Sequence, residues 1–355
     1  MTRTVVVTGA GGVGKTTLAA AIGVILARSG LRTLVLTIDP AKRLADALSA
    51  GELGDEPQLV LSEPNLYAAM LDVAASWEGI IHRYADPEVA DRLLVNPYFR
   101  AIADRFPAAQ SYAAGERMAE YIESGRYGAI VIDTPPSSGG MDFFLAPAST
   151  GELVSGKLLR WLTGSRLPGR SVLFQFTAKP MLRLADGVLG GPMLSDVADF
   201  LLDLRTIYDR LAVRSKAIER HLRAADTIIV TTADPTPIYE TTRFFEELAG
   251  IKITPEAILF NRMLPESWIE EADRRASATD SSDPTAAVLT NNLVAWSAEA
   301  RRQIEAAREL SARYRLPVHE IGWRVPPPST LDELASLLSA VDVSNGFANI
   351  PTSQQ

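Results

Sequence analysis

A glycine-rich segment near the start of the chain constrains the fold more than any other feature. It reads Gly9-Ala-Gly-Gly-Val-Gly-Lys-Thr-Thr17 and lies between an apolar run, Val5–Thr8, and a helix-like segment, Thr17–Ser29. A strand, a glycine loop and a helix in this order match G-x-x-x-x-G-K-[ST], the phosphate-binding P-loop. Glycines let backbone N–H groups turn towards phosphate oxygens because no Cβ stands in the way. The segment therefore predicts a nucleoside triphosphate site.

The residue types in this loop have separate predicted roles. Lys15 is expected to reach the β- and γ-phosphates, and the Thr16 hydroxyl is expected to ligate Mg²⁺. The N-terminus of the following helix adds partial positive charge, which favours a bound anion. The predicted nucleotide-binding residues of this region are Gly11, Gly12, Val13, Gly14, Lys15, Thr16 and Thr17.

The same glycines also fit the dinucleotide fingerprint G-x-G-x-x-G, over residues 9–14. Asp39, which ends the next predicted strand, even resembles the acid that binds a ribose in that fold. Lys15 and Thr16 favour the P-loop, because they supply a phosphate ligand and a metal ligand where a dinucleotide site needs close packing of helix on strand. A glycine loop that only turns the chain is the third interpretation.

Composition narrows the class of protein. The chain has 355 residues, 47% of them hydrophobic, which is enough for one large domain. A net charge of −8 argues against a general nucleic-acid-binding protein. The chain has no Cys, so disulfides, thiolate metal sites and cysteine nucleophiles are excluded. No signal-like or membrane-spanning apolar run occurs near the start, and we expect a cytoplasmic protein without stable membrane insertion.

Seven apolar runs alternate with helical stretches along the chain. They are continuous rather than alternating in polarity, which suits strands of a parallel sheet that is covered on both faces. We therefore predict an α/β fold with a doubly wound, mostly parallel sheet of about seven or eight strands. The runs are Thr4–Thr8, Thr33–Ile38, Leu66–Leu71, Ala129–Ile132, Thr227–Thr232, Ala257–Phe260 and Pro317–Ile321.

Two long stretches do not follow this alternation. Residues 73–126 and 151–223 have mostly helical patterns, and we predict that they form a helical subdomain within a single P-loop domain, residues 1–345. The Met and Leu side chains of 151–223 suit an apolar client helix, although such side chains also commonly pack against their own core. Both interpretations stay open. Residues 346–355 are predicted to be a frayed tail.

Two acidic residues end predicted strands, where ligands bind in doubly wound folds. Asp133 ends a buried strand and is predicted to hold Mg²⁺, or alternatively to cap a helix or turn. Asp39 is predicted to orient the attacking water, with a plain Asp-Pro turn as the alternative. We therefore predict Asp39 and Lys15 as catalytic residues, and Thr16, Asp39 and Asp133 as the metal site.

A late strand ends in Phe260-Asn261-Arg262, and the guanine-reading pattern N-K-x-D is not found there. The Asn261 amide can both donate to and accept from the edge of an adenine base, so ATP is favoured over GTP. Residues 326–328 are three prolines that either wall the base or form a stiff connector. The predicted base-binding residues are Asn261, Arg262, Pro326 and Pro327.

Taken in this order, the segments resemble the arsenite-pump and tail-anchored-protein-targeting ATPases of the deviant Walker A class. The resemblance covers Gly9 to about Pro328. Residues 39–41 are similar to the first switch of that family, and residues 133–136, with the Phe pair at 143–144, to its second switch. The resemblance implies a Mg²⁺-dependent, ATP-driven dimer that opens and closes around nucleotide. It also implies helical subdomains that carry a hydrophobic client or couple to a membrane partner.

The chain departs from that family at several positions. The family's signature lysine, which reaches the partner's nucleotide, falls at Ala10, and Lys42 replaces the histidine of the first switch. The absence of Cys argues against arsenite activation and against a metal-clasped dimer. Two hypotheses follow. Either Lys42 or Arg43 supplies the missing cation, or the chain pairs with a paralogue that keeps the lysine.

Three functions remain in competition. The first is a dimeric ATP-hydrolysing switch, not activated by arsenite, that handles or targets a hydrophobic protein client. The alternative is a catalytically weak, ATP-binding regulatory subunit of a hetero-oligomer with a lysine-bearing paralogue. The third, a small-molecule kinase or ligase, has no acceptor-binding motif to support it.

Overall fold

The computed structural model of the chain describes residues 2–39, 43–105, 107–135, 141–147, 193–277 and 284–349. The described residues fall into two compact units. Those of Met1–Leu71, Ser124–Met141 and Ala224–Gln355 form the first unit, and those of Asp72–Glu123 and Asp142–Arg223 form the second.

One sheet forms the centre of the first unit. Its strands are β1 (Arg3–Gly9), β2 (Thr33–Thr37), β3 (Gln58–Leu59), β4 (Leu66–Met70), β5 (Ala129–Asp133), β6 (Asp226–Thr231), β7 (Ala257–Met263) and β8 (Val318–Gly322). Their order is β3-β4-β2-β5-β1-β6-β7-β8, and every neighbouring pair is parallel except β3 with β4. The doubly wound α/β fold is confirmed. Only β3 lacks a predicted counterpart, because its two exposed residues make no apolar run.

The helices are numbered in chain order. They are α1 (Lys15–Arg28), α2 (Arg43–Leu48), α3 (Val73–Tyr84), α4 (Pro87–Val95), α5 (Pro97–Arg105), α6 (Pro107–Ser124), α7 (Met193–Arg223), α8 (Pro235–Gly250), α9 (Ser267–Ser277), α10 (Pro284–Tyr314) and α11 (Leu331–Ser336). Residues 141–147 are also helical. Within the described ranges, no helix combines the length and the apolar character needed to cross a membrane.

The core of the first unit lies between the sheet and α1. Because β1 sits near the middle of the sheet, its residues and those of α1 are almost completely buried. Val5 of β1 and Val35 of β2 belong to the same buried cluster as Leu18 and Ile22 of α1. A helix this apolar has no amphipathic stripe, as expected for one that is covered on all sides.

The strand order places a crevice at the end of β1. The chain moves outward from β1 to β2 and β4 on one side and later to β6, β7 and β8 on the other, so the order reverses at β1. Doubly wound folds bind ligands at such a reversal, outside the carboxyl ends of the strands. The register is informative here, because Asp133 is the partner of Val7 on β1 and of Thr37 on β2.

The second unit contains α3 to α7, and a buried carboxylate links three of its helices. Glu116 of α6 is 3% exposed in its side chain and accepts hydrogen bonds from Arg83 (3.0 Å), the Tyr84 hydroxyl (3.1 Å) and Arg214 (2.6 Å). A buried charge needs such pairing to offset its desolvation. Of the segment predicted as residues 151–223, only 193–223 lies within the described residues.

The prediction of a frayed tail is wrong for residues 346–349. Phe347 is completely buried, and a short strand at Ala348–Asn349 (β10) pairs antiparallel with another at Val341–Asp342 (β9). The Phe347 carbonyl also lies 2.6 Å from His319 Nε2. A single aromatic residue outside any apolar run carries no periodic signal, so its burial could not be predicted from the sequence. Residues 350–355 lie outside the described part of the chain.

Candidate nucleotide site

The loop between β1 and α1 depends on its glycines. Gly9, Gly12 and Gly14 have φ angles of 149°, 77° and 97°, which L side chains rarely adopt. A Cβ at Gly9 would collide with the Val230 carbonyl of β6, and one at Gly14 would collide with the Asn261 side chain. The loop therefore lies against two neighbouring strands, and larger residues at these positions would push it away from them.

Lys15 is buried at the start of α1. Its ammonium group donates to the carbonyl oxygens of Gly9 (3.0 Å) and Ala10 (2.8 Å). Burial lowers the pKa of Lys15, while the carboxylates of Asp133 and Asp39 act in the opposite direction. Without nucleotide, the loop's own backbone satisfies this charge. The predicted phosphate contact of Lys15 requires exchange of these bonds.

Asp133 lies at the end of β5 and is 1% exposed. Its Oδ2 accepts hydrogen bonds from the hydroxyls of Thr16 (2.8 Å) and Thr37 (2.9 Å). Its Oδ1 is buried and has no hydrogen-bond partner among the described residues. Burial raises the pKa of Asp133 to about 6, against the two threonine hydroxyls and the Lys15 charge, which lower it. A buried carboxylate oxygen without a partner is costly and suits a bound cation.

The residues around this oxygen fit Mg²⁺. Mg²⁺ is commonly bound by one or two carboxylates together with substrate phosphates, and in P-loop proteins by the hydroxyl that follows the lysine. Asp133 offers the carboxylate and Thr16 the hydroxyl, and the two groups are already in contact. The donors are therefore of the type that Mg²⁺ prefers.

Asp39 follows β2 and lies close to the same loop. Its backbone N–H donates to the Thr37 hydroxyl (3.2 Å), and its Oδ2 lies 3.5 Å from Nη1 of Arg43. Its side chain is 15% exposed, so it remains open to solvent and to a ligand. Pro40, Ala41 and Lys42, with which the first-switch resemblance continues, lie outside the described residues.

Two cavities meet at the loop. The loop cavity has a volume of about 720 Å³ and is lined by Gly12, Gly14, Lys15, Thr16, Thr17, Asp39, Arg43, Asp46, Ala47, Thr134, Arg262, Pro327, Pro328 and Ser329. The tryptophan cavity has a volume of about 510 Å³ and is lined by Gly14, Thr17, Thr232, Ala233, Asp234, Asn261, Arg262, Leu264, Trp296, Gln303, Gly322, Trp323, Arg324, Pro327, Pro328 and Leu337. The shared residues place the two cavities side by side. The volume of each cavity lies in the range of small-molecule sites.

A bulge in β7 shapes the boundary between the cavities. The pairing of β7 with β8 shifts register between Phe260 and Met263, and Arg262 has a φ of 62°. The Asn261 amide donates to the Val13 carbonyl (2.8 Å) and accepts from the Arg262 N–H (2.9 Å). Asn261 thus ties β7 to the glycine loop. Its contact with adenine stays a prediction.

The chain was compared with known proteins. A family model described as an anion-transporting ATPase, ArsA, matches residues 2–282. The chain belongs to this ATPase family. Its curated relatives include ATPase GET3 of Rhodotorula glutinis, which is 28% identical over 257 residues, 72% of this chain and 68% of the relative. The GET3 ATPases of Aspergillus terreus and Mycosarcoma maydis are each 26% identical, over 74% and 72% of this chain and 73% and 71% of their own lengths.

Membership of the ArsA ATPase family confirms the resemblance stated from the sequence and makes ATP hydrolysis the activity class of the chain. The P-loop lies inside the matched range. Trp296, Trp323 and the prolines at 326–328 lie beyond residue 282, where the match ends. The family assignment therefore does not draw on these residues.

The structure brings most of the predicted residues of this ArsA-family ATPase to one place. The residues that line one or both cavities are Gly12, Gly14, Lys15, Thr16, Thr17, Asp39, Asn261, Arg262 and Pro327. All the predicted residues are described, and four of them line neither cavity: Gly11, Val13, Asp133 and Pro326. Asp133 is linked to the loop cavity by the hydrogen bond that it accepts from the Thr16 hydroxyl. Of the second-switch segment, Thr134 lines the loop cavity, and residues 136–140 lie outside the described part of the chain.

Two tryptophans on the tryptophan cavity were missed from the sequence. Trp323 is 47% exposed and follows β8, and Trp296 of α10 is 50% exposed and meets Trp268 edge to face at 6.2 Å. The rule that ligands gather at strand ends applies to Trp323 as well as to Asp133. Trp296 carries no such signal, because it lies inside a helical pattern.

Proposed function

We propose that this protein is a Mg²⁺-dependent, ATP-hydrolysing switch that handles a hydrophobic protein client. The observation that carries the nucleotide part is the meeting of Lys15, Thr16, Asp133 and Asp39 around one loop, where a buried oxygen of Asp133 has no hydrogen-bond partner among the described residues. The triphosphate occupies the loop cavity, and the adenine occupies the tryptophan cavity.

Each residue of the loop cavity has a part in this proposal. Lys15 exchanges its two backbone carbonyls for phosphate oxygens. Thr16 and Asp133 hold Mg²⁺, which neutralises charge on the β- and γ-phosphates when bound. Asp39 orients the water that attacks the γ-phosphorus, a role that needs position more than strong acid or base chemistry.

In the tryptophan cavity, the exposed face of Trp323 or Trp296 stacks on the base. Aromatic rings stack on bases with little dependence on sequence. The Asn261 amide and the backbone that follows β8 are the groups from which a preference for adenine arises. Arg262, which lines both cavities, lies where a ribose or phosphate passes from one to the other.

The switch and client parts of the proposal are supported by family membership and by the sequence. The resemblance to tail-anchored-protein-targeting ATPases and the match to GET3 relatives favour a dimer that opens and closes with nucleotide. The apolar side chains of 151–223 favour a hydrophobic segment as the client. Arsenite activation is not expected, since the chain has no Cys to bind it.

A direct test measures ATP turnover, oligomeric state and client capture on one preparation. We expect Mg²⁺-dependent ATPase activity and a shift from monomer to dimer with MgADP and aluminium fluoride, measured by light scattering. We also expect retention of a detergent-free apolar helix fused to a soluble carrier. Absence of MgATP binding by calorimetry would refute the nucleotide site. Turnover without client retention would refute only the client.

One observation favours a second candidate, a regulatory subunit of a hetero-oligomer. Position 10, where the signature lysine of the family falls, is an alanine, so this chain offers no cation there to a partner's nucleotide. A paralogue with a lysine at this position would complete one of the two sites of a heterodimer. Full nucleotide-dependent turnover by the purified homodimer would refute this candidate. Turnover that appears only with a lysine-bearing paralogue would support it.

A further inference from the structure

Arg43 occupies a distinctive position in the loop cavity. It is the first residue of α2, whose Leu44, Ala45 and Leu48 are buried in the core. These buried residues fix the orientation of the helix, and the remaining face, Arg43, Asp46 and Ala47, lines the cavity. The spacing of 43, 46 and 47 is that of one helical face. A core-anchored helix therefore presents an arginine to the proposed phosphate site.

The partner of Arg43 is the proposed catalytic carboxylate. Its Nη1 lies 3.5 Å from Asp39 Oδ2, and the Arg43 side chain is 64% exposed. A guanidinium has five N–H donors in a planar fork, and the contact with Asp39 does not occupy all of them, so Arg43 has donors that can bind phosphate oxygens. Burial is the largest cause that lowers the pKa of Lys15, and the positive charge of Arg43 adds to it, which places the two cations in the same electrostatic environment.

The cations of the loop cavity can be compared. Among its lining residues, Lys15, Arg43 and Arg262 are cationic. Lys15 is the P-loop lysine, and Arg262 also lines the tryptophan cavity. Arg43 lies at the Asp39 end, where the attacking water is expected. A cation there can neutralise charge on the equatorial oxygens of the transferring γ-phosphoryl group in the transition state.

We propose that Arg43 moves from Asp39 to the γ-phosphate of bound ATP and stabilises the transition state of hydrolysis. Asp39 orients the attacking water in the same step. The water oxygen then bonds to the γ-phosphorus while the bond from that phosphorus to the β,γ-bridging oxygen breaks. ADP leaves with the electron pair, and the protons of the water stay with the released phosphate. This inference rests on the proposed ATP site.

The test compares Arg43→Ala and Arg43→Lys with a matched control. Arg243 of α8 serves as the control, because it is 69% exposed, forms an i,i+4 ion pair with Glu247 and lines neither cavity. Arg43→Ala should lower kcat about 100-fold while leaving the Kd for MgADP within threefold. It should also abolish the gain in MgADP affinity that aluminium fluoride produces in the wild type. Arg43→Lys should be intermediate, and Arg243→Ala should match the wild type.

Three outcomes overturn the inference. Turnover of Arg43→Ala within twofold of the wild type would do so if its thermal unfolding is unchanged. So would an equal loss of kcat and of MgADP affinity, which would assign Arg43 to ground-state binding. An aluminium fluoride response that survives in Arg43→Ala would do the same. A wild type that binds no MgATP refutes the ATP site itself, whereas a wild type and an Arg43→Ala variant that turn over equally refute only the role of Arg43.

Discussion

The loop cavity and the tryptophan cavity adjoin each other but are lined by different types of residue. The loop cavity lies beside two buried charged groups, Lys15 and Asp133, and both have shifted pKa values. The tryptophan cavity is lined by half-exposed rings, Trp296 and Trp323, and by an arginine in a strained backbone conformation. The loop cavity is suited to stabilise the charge of the phosphates, and the tryptophan cavity is suited to stack on the base.

This difference predicts different kinetics. Buried, preorganised charges act on the charge that develops in the transition state, so their loss lowers kcat. Aromatic stacking on the base is equally strong in the ground state and the transition state, so its loss raises KM and leaves kcat unchanged. Loop-cavity variants that change only KM, or tryptophan-cavity variants that change only kcat, would contradict this difference between the two cavities.

The largest effect is expected for Asp39→Asn. Loss of the carboxylate that orients the water should lower kcat about 1,000-fold, roughly 4 kcal/mol, with little change in the Kd for MgADP. Steady-state turnover and calorimetry check this. Asp273→Asn, which removes a carboxylate from an exposed ion pair with Arg301, is the control. An Asp39→Asn variant with wild-type turnover would refute the proposal that Asp39 orients the attacking water.

The next effect concerns Asp133 and pH. Because its pKa is raised from 3.8 to about 6 in the absence of nucleotide, the ionised form that binds Mg²⁺ is lost below about pH 6. MgATP affinity should therefore fall about fivefold from pH 6 to pH 5. Asp133→Asn should weaken Mg²⁺-dependent binding about 100-fold and abolish this dependence on pH. A wild-type affinity that is flat between pH 5 and 7 would contradict the assignment.

The same shift has a consequence for stability. Without nucleotide, the folded state binds a proton at Asp133 more tightly than the unfolded chain does. This group therefore contributes most to the free energy of unfolding below its unfolded pKa of 3.8, and the contribution is lost as pH rises through about 6. The amount is about 3 kcal/mol at 1.4 kcal/mol per pH unit. Denaturant unfolding of the wild type and of Asp133→Asn at several pH values between 4 and 7 measures this contribution.

The smallest effect is expected in the tryptophan cavity. Trp323→Ala should raise the KM for ATP about tenfold, since base stacking contributes about 1–3 kcal/mol, and should leave kcat unchanged. Trp323→Phe should restore most of the affinity because it keeps an aromatic face. Quenching of tryptophan fluorescence by nucleotide should decrease in Trp323→Ala. A fall in kcat without a change in KM would contradict the proposal that the tryptophan cavity contributes only to nucleotide binding.

The sequence predicted the loop cavity better than the tryptophan cavity for a physical reason. The P-loop is a local pattern, and Asp133 ends a strand whose buried character is visible from its apolar run. The tryptophan cavity depends on long-range contacts, such as the bond from Asn261 to Val13 across 248 positions. The register shift that leaves Arg262 at positive φ has no marker either, because turns of this kind favour Gly or Asn.

The fold was predicted in the same uneven way. The long buried strands can be predicted from the sequence, because a parallel sheet that is covered on both faces needs continuous apolar runs. The two-residue strands β3, β9 and β10 do not, since pairing of so few residues depends on what surrounds them. Arg3 illustrates this, because it holds the β9–β10 segment by donating to the carbonyls of Val343 and Ser344.

The place of β1 in the sheet has a consequence for how the protein is made. A ribosome releases the glycine loop first, but both neighbours of β1 come much later, with β5 at Ala129–Asp133 and β6 at Asp226–Thr231. Pro327 and Pro328, which line both cavities, come later still. A nascent chain that ends before these prolines has the loop without its cavities. Nucleotide is therefore a ligand of the finished polypeptide and offers no help to the early stages of its translation.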